Sequence, residues 1–244
     1  TNYQFELIFY RDCNGADVNP VSEQLKVWNH PSLSSINVNF VSRQDISPTC
    51  SPVTGSPGPL LCGTGSNGGN GLGAVEKVLY RSAVVSLSGV PPANGWIFTY
   101  ENFSRSNTVS NLMNPANYGI TLAAKIYKLD IPDDSPVFFQ DPHFVSCAGT
   151  PYTFNGNAID ANLDSLVFSF GIPYNNIQGA SYNPPVDPIP VPFEIGFSAT
   201  NPTPNQSLNP ANIPASLNPV SGELTFTCVN IGNYVVKVLV KSYR

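Results

Sequence analysis

The sequence carries few charged side chains. Asp, Glu, Lys and Arg make up 11% of its 244 residues, far below the roughly 25% of an ordinary globular protein. The net charge is −5, and Lys and Arg are scattered, so no basic stripe exists for nucleic acid. The longest apolar runs, such as LAAKIY and YVVKVLV, contain lysine and are too short to span a bilayer.

The sequence also leaves little room for helices, because 24 Pro and 19 Gly are spread along it. Alternating runs occur instead. In the run YQFELIFY, Tyr3, Phe5, Leu7 and Phe9 fall on one face of a strand. The 11% aromatic content argues against a disordered chain. The pattern therefore predicts an all-β, loop-rich protein.

The length allows two domains. The segment KLDIPDDSPVFF, residues 128–139, is typical of a short, stiff junction between them. The spacing of strands and turns predicts two consecutive β-sandwiches, residues 1–131 and 132–244. Strands are expected at 3–10, 24–29, 36–42, 76–87, 96–101, 118–128, 137–139, 144–147, 165–170, 193–198, 222–228 and 232–243.

Both ends of the sequence read as strands, with neither an initiator Met nor a leader ahead of the first. This indicates a segment of a longer or processed protein. Low charge and five cysteines favour an exported protein, in which disulfides can persist.

The cysteine positions suggest two disulfides. Cys50 and Cys62 lie within one long Gly/Pro-rich loop, 47–73, and a bridge between them would tie it. Cys147 precedes a strand and Cys228 ends one, so we expect a second bridge across the C-terminal sandwich. Closing so long a loop would contribute roughly 4 kcal/mol. Because five is odd, one thiol is left over.

Several motifs occur in one order: YQFELIFYRDCNG, WIFTYENFSR with NPANYGITLAAKI, DSPVFFQDPHFVSCAGTPYTFNGNAIDANLDSLVFSF, and NPVSGELTFT followed by GNYVVKVLVKSYR. This set resembles a module of very large cell-surface and secreted proteins of Bacteroidota, which often end in a gliding-motility-associated domain for type IX secretion. The resemblance covers nearly the whole chain. It implies tandem immunoglobulin-like or cadherin-like sandwiches in adhesins, filaments or matrix proteins, without catalytic activity.

The sequence departs from that family in two places. Asn102-Phe103-Ser104-Arg105 stands where the family tends to carry paired cysteines and Arg-Asn. If one of those cysteines pairs with the position of Cys13 in the family, the resemblance implies that Cys13 is free here. The run Asp160 to Leu166, DANLDSL, stands where the family has D-x-D-G-D-S-L, so a Gly and an Asp are lost.

Acidic side chains form the sharpest candidate site. Ca²⁺ takes six to eight oxygen ligands, and a linker together with a D-x-D-type loop supplies them in cadherin-like arrays. The alternative is that these side chains shape a turn and remain solvated. The candidate ligands are Asp130, Asp133, Asp134, Asp160, Asn162 and Asp164.

We interpret Arg11-Asp12 as a structural pair and not as a catalytic one. Arg11 is expected to bind a carboxylate or loop carbonyls, and Asp12 to form an Asx-turn into Asn14-Gly15. Enzyme templates fail, since the sequence has no G-x-S-x-G, no Walker loop and no H-E-x-x-H.

The sequence thus predicts a non-catalytic structural or adhesive module of an extracellular fibre, whose partners are neighbouring domains or identical subunits. The alternative is a carbohydrate-binding module, with Tyr174 and Tyr182 as sugar-stacking side chains in a polar loop. Trp96 is expected in the core instead. Ser165, in Asp164-Ser165-Leu166, matches the short O-glycosylation pattern of Bacteroidota.

Overall fold

The structure, a computed structural model, describes residues 1–18, 20–48, 59–71, 73–103, 105–128, 133–142, 145–177 and 187–243. These residues form antiparallel β-sheets, with one short 3₁₀ helix at Pro115–Asn117 and no α-helix. The predicted all-β class is confirmed. Within these residues, no helix combines the length and hydrophobicity that crossing a lipid bilayer requires.

The chain divides into two compact units. Unit 1 comprises residues 1–104, 122–128 and 181–187, and unit 2 comprises 105–121, 129–180 and 188–244. The segment 105–121, which the predicted division at 131 assigns to the first domain, belongs to unit 2. The immunoglobulin-like arrangement of tandem sandwiches stays a prediction.

Unit 1 is built on a six-stranded sheet in the order β2-β5-β4-β3-β7-β8. A two-stranded sheet pairs β1 with β6. The strands of the unit are β1 (Asn2–Tyr3), β2 (Glu6–Asp12), β3 (Ser22–Trp28), β4 (Ser35–Asp45), β5 (Val75–Ser82), β6 (Val85–Ser86), β7 (Trp96–Asn102) and, from residue 122 onward, β8 (Ile120–Ile126).

Alternation of apolar residues explains the core of unit 1. Leu7 is buried there, and Tyr3, Phe5 and Phe9 pack against the same cluster, as the alternation over residues 3–9 predicts. The Phe5 and Phe98 rings lie 4.7 Å apart. Trp96 is also buried in this core, which confirms its expected role.

Unit 2 contains smaller sheets, ordered β10-β14-β13, β11-β9 and β12-β15. Their strands are β9 (Val137–Phe138), β10 (Pro151–Asn155), β11 (Ala158–Ile159), β12 (Ser165–Phe170), β13 (Ile213–Leu217), β14 (Glu223–Thr227) and β15 (Val238–Tyr243). Leu224, Phe226, Ala215 and Cys228 form its apolar cluster.

Two strand predictions in unit 2 are wrong. Residues 193–198 form turns and isolated bridges, and residues 145–147 form no strand. The structure instead has β10 and β13, which the sequence hides because each contains a proline, Pro151 and Pro214. Both are outer strands of their three-stranded sheet, where a residue without an N–H is tolerated.

Two fully buried asparagines organise the loops of unit 2. Asn111 Nδ2 donates to Pro202 O at 2.7 Å and Val235 O at 2.8 Å, and Asn111 Oδ1 accepts from Val235 N at 3.0 Å. Asn212 similarly donates to Asn205 O and accepts from Val229 N. These side chains satisfy main-chain groups that the Pro-rich loops leave without a sheet partner.

Candidate functional site

Three of the predicted calcium ligands come together in unit 2. Asp133, Asp160 and Asp164 each offer a carboxylate oxygen, and the three oxygens lie within 4.8 Å of one another. Asp133 lies just before β9, and Asp160 and Asp164 lie between β11 and β12. The antiparallel pairing of β9 with β11, Ile159 opposite Val137, brings the two segments side by side.

Asp160 is the innermost member of this acidic cluster, with 4% of its surface exposed. Its Oδ1 accepts hydrogen bonds from Asn162 N at 2.8 Å and Asp164 N at 3.3 Å, which folds the loop back around the carboxylate. Its Oδ2 is shielded from solvent and accepts no hydrogen bond within the described part of the chain. Oxygen-only donors of this kind suit a hard cation.

The other predicted ligands have different roles. Asn162 Oδ1 accepts a hydrogen bond from Asp134 N at 2.9 Å, so the Asn162 side chain joins the segment before β9 to the loop between β11 and β12. The Asp134 side chain is exposed and lies outside the cluster. Asp130 lies outside the described residues.

Leu163 lies between Asn162 and Asp164 in the same loop. Its φ is 63°, in the left-handed region, and its side chain is 89% exposed. The loop therefore has at this position a backbone conformation that favours glycine, although a leucine occupies it.

A second polar cluster lies at the end of β2 in unit 1. Arg11 is buried, and its Nε donates to Glu76 Oε1 on the neighbouring strand β5. Arg11 Nη1 donates to Ala16 O at 3.2 Å and Gly65 O at 3.1 Å. Asp12 Oδ1 accepts from Asn14 N at 2.9 Å, which forms the Asx-turn. The predicted contacts of Arg11 with a carboxylate and loop carbonyls, and the predicted Asx-turn at Asp12, are confirmed.

Arg43 extends this cluster to the protein surface. Its Nε lies 3.3 Å from Glu76 Oε2, and its Nη2 donates to Asp17 Oδ1 at 2.8 Å. Burial raises the pKa of Asp17, but the hydrogen bonds from Arg43 and Val18 N outweigh burial and leave that pKa below its usual value. Glu76 thus forms ion pairs with both Arg11 and Arg43.

The cysteine predictions require correction. Cys62 pairs with Cys13, which is therefore not free, and does not pair with Cys50, which lies outside the described residues. The reason is the β2–β5 pairing. Cys13 N donates to Ala74 O, and Gly69 N donates to Cys13 O, so the loop that leads into β5 runs beside the end of β2.

The predicted bridge between Cys147 and Cys228 does not form in the structure, where both are free thiols. Gly149 N donates to Cys228 O at 2.8 Å, so the two segments are neighbours. The side chains have different environments, however. Cys147 is exposed, whereas Cys228 is buried and its Sγ donates to Asn230 O at 2.9 Å.

The candidate glycan and glycosylation residues have the following positions. Tyr174 is half-buried, and Lys237 Nζ lies 3.6 Å from the centre of its ring, so one ring face is covered. Tyr182 lies outside the described residues. Ser165 is exposed at the first position of β12.

Sequence reasoning missed Glu76, Asn111 and Asn212. Glu76 falls within the alternating run of β5, where it looks like an ordinary surface carboxylate. The asparagines fall in loops in which Asn is abundant. Only tertiary contacts distinguish these three residues. For Glu76, however, a carboxylate on a strand that pairs with the Arg11 strand is a usable signal for an ion pair.

Comparison of the chain with protein-family profiles, with curated proteins and with solved structures finds no match in any of the three.

Proposed function

We propose that this chain is a non-catalytic structural module of a large extracellular surface protein or filament. It projects or assembles a surface fibre for adhesion, gliding or contact with prey or substrate. The resemblance of its ordered motifs to giant Bacteroidota surface proteins supports this proposal.

The observation that carries it is the attachment of the loop 59–71 to the sheet of unit 1. The Cys13–Cys62 disulfide fixes this loop covalently, and Asp45 Oδ2 accepts from Cys62 N at 2.7 Å. Asn14 Nδ2 donates to Gly71 O at 2.9 Å on the same loop. Disulfides persist in oxidising compartments outside the cytosol. Polar side chains used in this way stiffen a scaffold.

Immunogold labelling of the cells that encode the chain tests the proposal. An antiserum against the purified chain should label intact cells on the outside, on fibres or on the envelope. Labelling only after permeabilisation would contradict an extracellular role. Electron microscopy of the labelled cells distinguishes an extended fibre from a dispersed secreted product.

The carbohydrate-binding alternative has its own test. A glycan array probed with the wild-type chain and with Tyr174→Ala and Tyr182→Ala variants should show no binding under the structural proposal. Glycan binding that both substitutions abolish would favour the alternative.

A further inference from the structure

We propose that Asp133, Asp160 and Asp164 form a Ca²⁺ site that clamps the segment before β9 to the loop between β11 and β12. The proposal concerns unit 2 alone and does not depend on the extracellular role.

The first argument is charge. Three carboxylate oxygens lie within 4.8 Å of one another, and a cation between them would offset the repulsion of their negative charges. Asp160 is 4% exposed, so water cannot screen its charge. A buried carboxylate needs a charge partner or a metal.

The second argument is the unused oxygen of Asp160. Main-chain N–H groups of Asn162 and Asp164 bind Oδ1 and hold the carboxylate in place. Oδ2 is buried and receives no hydrogen bond from any described residue. A side chain that is fixed through one oxygen and leaves the other unpaired is prepared to bind a cation.

The third argument concerns which cation fits. Ca²⁺ binds oxygens at about 2.3–2.6 Å, so oxygens on opposite sides of the ion lie about 4.6–5.2 Å apart. The observed limit of 4.8 Å allows all three oxygens to reach one ion. Mg²⁺ usually keeps several waters and is seldom held by an all-protein set of carboxylates. Water or main-chain carbonyls would complete the Ca²⁺ shell.

Bound Ca²⁺ would strengthen a connection that already exists. Asp134 N donates to Asn162 Oδ1 at 2.9 Å, and this hydrogen bond joins the two segments next to the carboxylates. The ion would add bonds from Asp133 on one side and from Asp160 and Asp164 on the other. The segment that precedes β9 would then move as one body with the loop.

Calorimetric titration of the chelator-treated chain with CaCl2 tests the site. We expect one Ca²⁺ per chain, with a Kd of about 10⁻⁴–10⁻³ M or tighter. Near ten times Kd, we expect a rise in Tm of about 3 °C. Asp133→Asn and Asp164→Asn should each weaken binding about tenfold or more, because each removes a charged ligand.

Asp134→Asn is the matched control. It alters a neighbouring exposed Asp in the same way, keeps the backbone N–H, and should leave Kd within about threefold of wild type. In ¹⁵N NMR spectra of the wild-type chain, CaCl2 should shift the amides of 133–134 and 160–164 first. This mapping needs no variant, and circular dichroism checks that each variant folds.

Three results would overturn the site. One is no heat and no change of Tm at about 10 mM CaCl2. Another is undiminished binding in folded Asp133→Asn and Asp164→Asn variants. The third is MgCl2 binding more tightly than CaCl2, or amide shifts confined to other segments.

Discussion

Arg11 and Glu76 are direct cross-strand partners on β2 and β5, and their side chains form a buried ion pair. Both side chains are 3% exposed. Arg43 binds the second oxygen of Glu76, and Arg11 also reaches the carbonyls of the loop 59–71 and the turn after β2. The pair therefore connects strand pairing to loop position.

Glu76→Gln should lower the free energy of unfolding of unit 1 by about 3 kcal/mol, because it leaves two arginines without their buried counter-charge. Both tryptophans, Trp28 and Trp96, lie in unit 1, so fluorescence during urea unfolding reports this unit. Glu6→Gln is the control, since it breaks the exposed cross-strand pair with Arg81 on the same two strands. It should cost less than about 1 kcal/mol. Equal costs would show that burial of the Arg11 pair is unimportant.

Removing the Cys13–Cys62 bridge, by Cys13→Ala with Cys62→Ala, should destabilise unit 1 by about 4 kcal/mol in the chain-entropy model. The estimate follows from the sequence separation of 49 residues between the two cysteines. Cys147→Ala changes an exposed free thiol and should have no measurable effect. Thiol counting by mass spectrometry after alkylation should find Cys13 and Cys62 protected without reductant. Alkylation of both would contradict the pairing.

Leu163→Gly should stabilise unit 2 by about 1 kcal/mol, because glycine adopts the left-handed backbone conformation at this position without the steric strain that a side chain imposes. Little packing is lost, since the side chain is 89% exposed. Ala161→Gly, in the same loop but without a positive φ, should instead destabilise by about 0.5–1 kcal/mol. Hydrogen exchange of unit 2 amides measures both changes. A loss of stability in Leu163→Gly would mean that the leucine makes contacts of its own.

Asn111→Ala should destabilise unit 2 by about 3 kcal/mol, since three main-chain groups, one of them on the buried Pro202, lose their partner. The exposed Asn117, in the 3₁₀ helix, provides the control. Asn117→Ala should change stability by less than about 0.5 kcal/mol. Protection factors in unit 2, measured by hydrogen exchange, compare the two. Similar values for both variants would refute the proposed role of Asn111.

Unit 1 should lose stability in alkali. Burial raises the pKa of Tyr80 to about 12, helped by the negative charge of Glu23. The folded state then holds this proton more tightly than the unfolded state, whose tyrosine pKa is about 10. The contribution is complete below about pH 10 and is lost as pH rises toward about 12.

Urea midpoints at several pH values between 8 and 12 measure this effect. Tyr80→Phe should show a smaller fall across that range than wild type. Tyr127→Phe, at a tyrosine that is 51% exposed, should fall as wild type does. An identical fall in all three proteins would exclude Tyr80 as the source.

Local patterns predicted much of unit 1. The alternation over residues 3–9 placed Leu7 and its aromatic neighbours on the core face, and Trp96 was correctly assigned to the core. In unit 2, local patterns worked for β12, which the structure has at the predicted bounds, Ser165–Phe170. They failed for β10 and β13, whose prolines are tolerated only because both strands are outermost in their sheet. Strand order is not visible in a local pattern.

The candidate cation site was also predictable from the sequence only in part. Asp133, Asp160 and Asp164 could be identified from the sequence as candidate ligands, because an alternating acidic loop and an acidic segment favour an oxygen-rich cation site. Which of the six candidates meet depended on the pairing of β9 with β11. With that pairing, Asn162 accepts a hydrogen bond from the main chain of Asp134, and the Asp134 side chain remains exposed.

The sequence by itself determined the all-β class, because frequent proline and glycine exclude long helices and period-two alternation produces strands with one buried face. It also determined the local turn at Asp12 to Gly15, since the contacts involved span only a few residues. Tertiary structure alone decided that Cys62 pairs with Cys13, that Glu76 is buried between two arginines, and that Asn111 holds three distant main-chain groups. Those outcomes depend on which strands become neighbours, and that choice is made by packing between segments far apart in the chain.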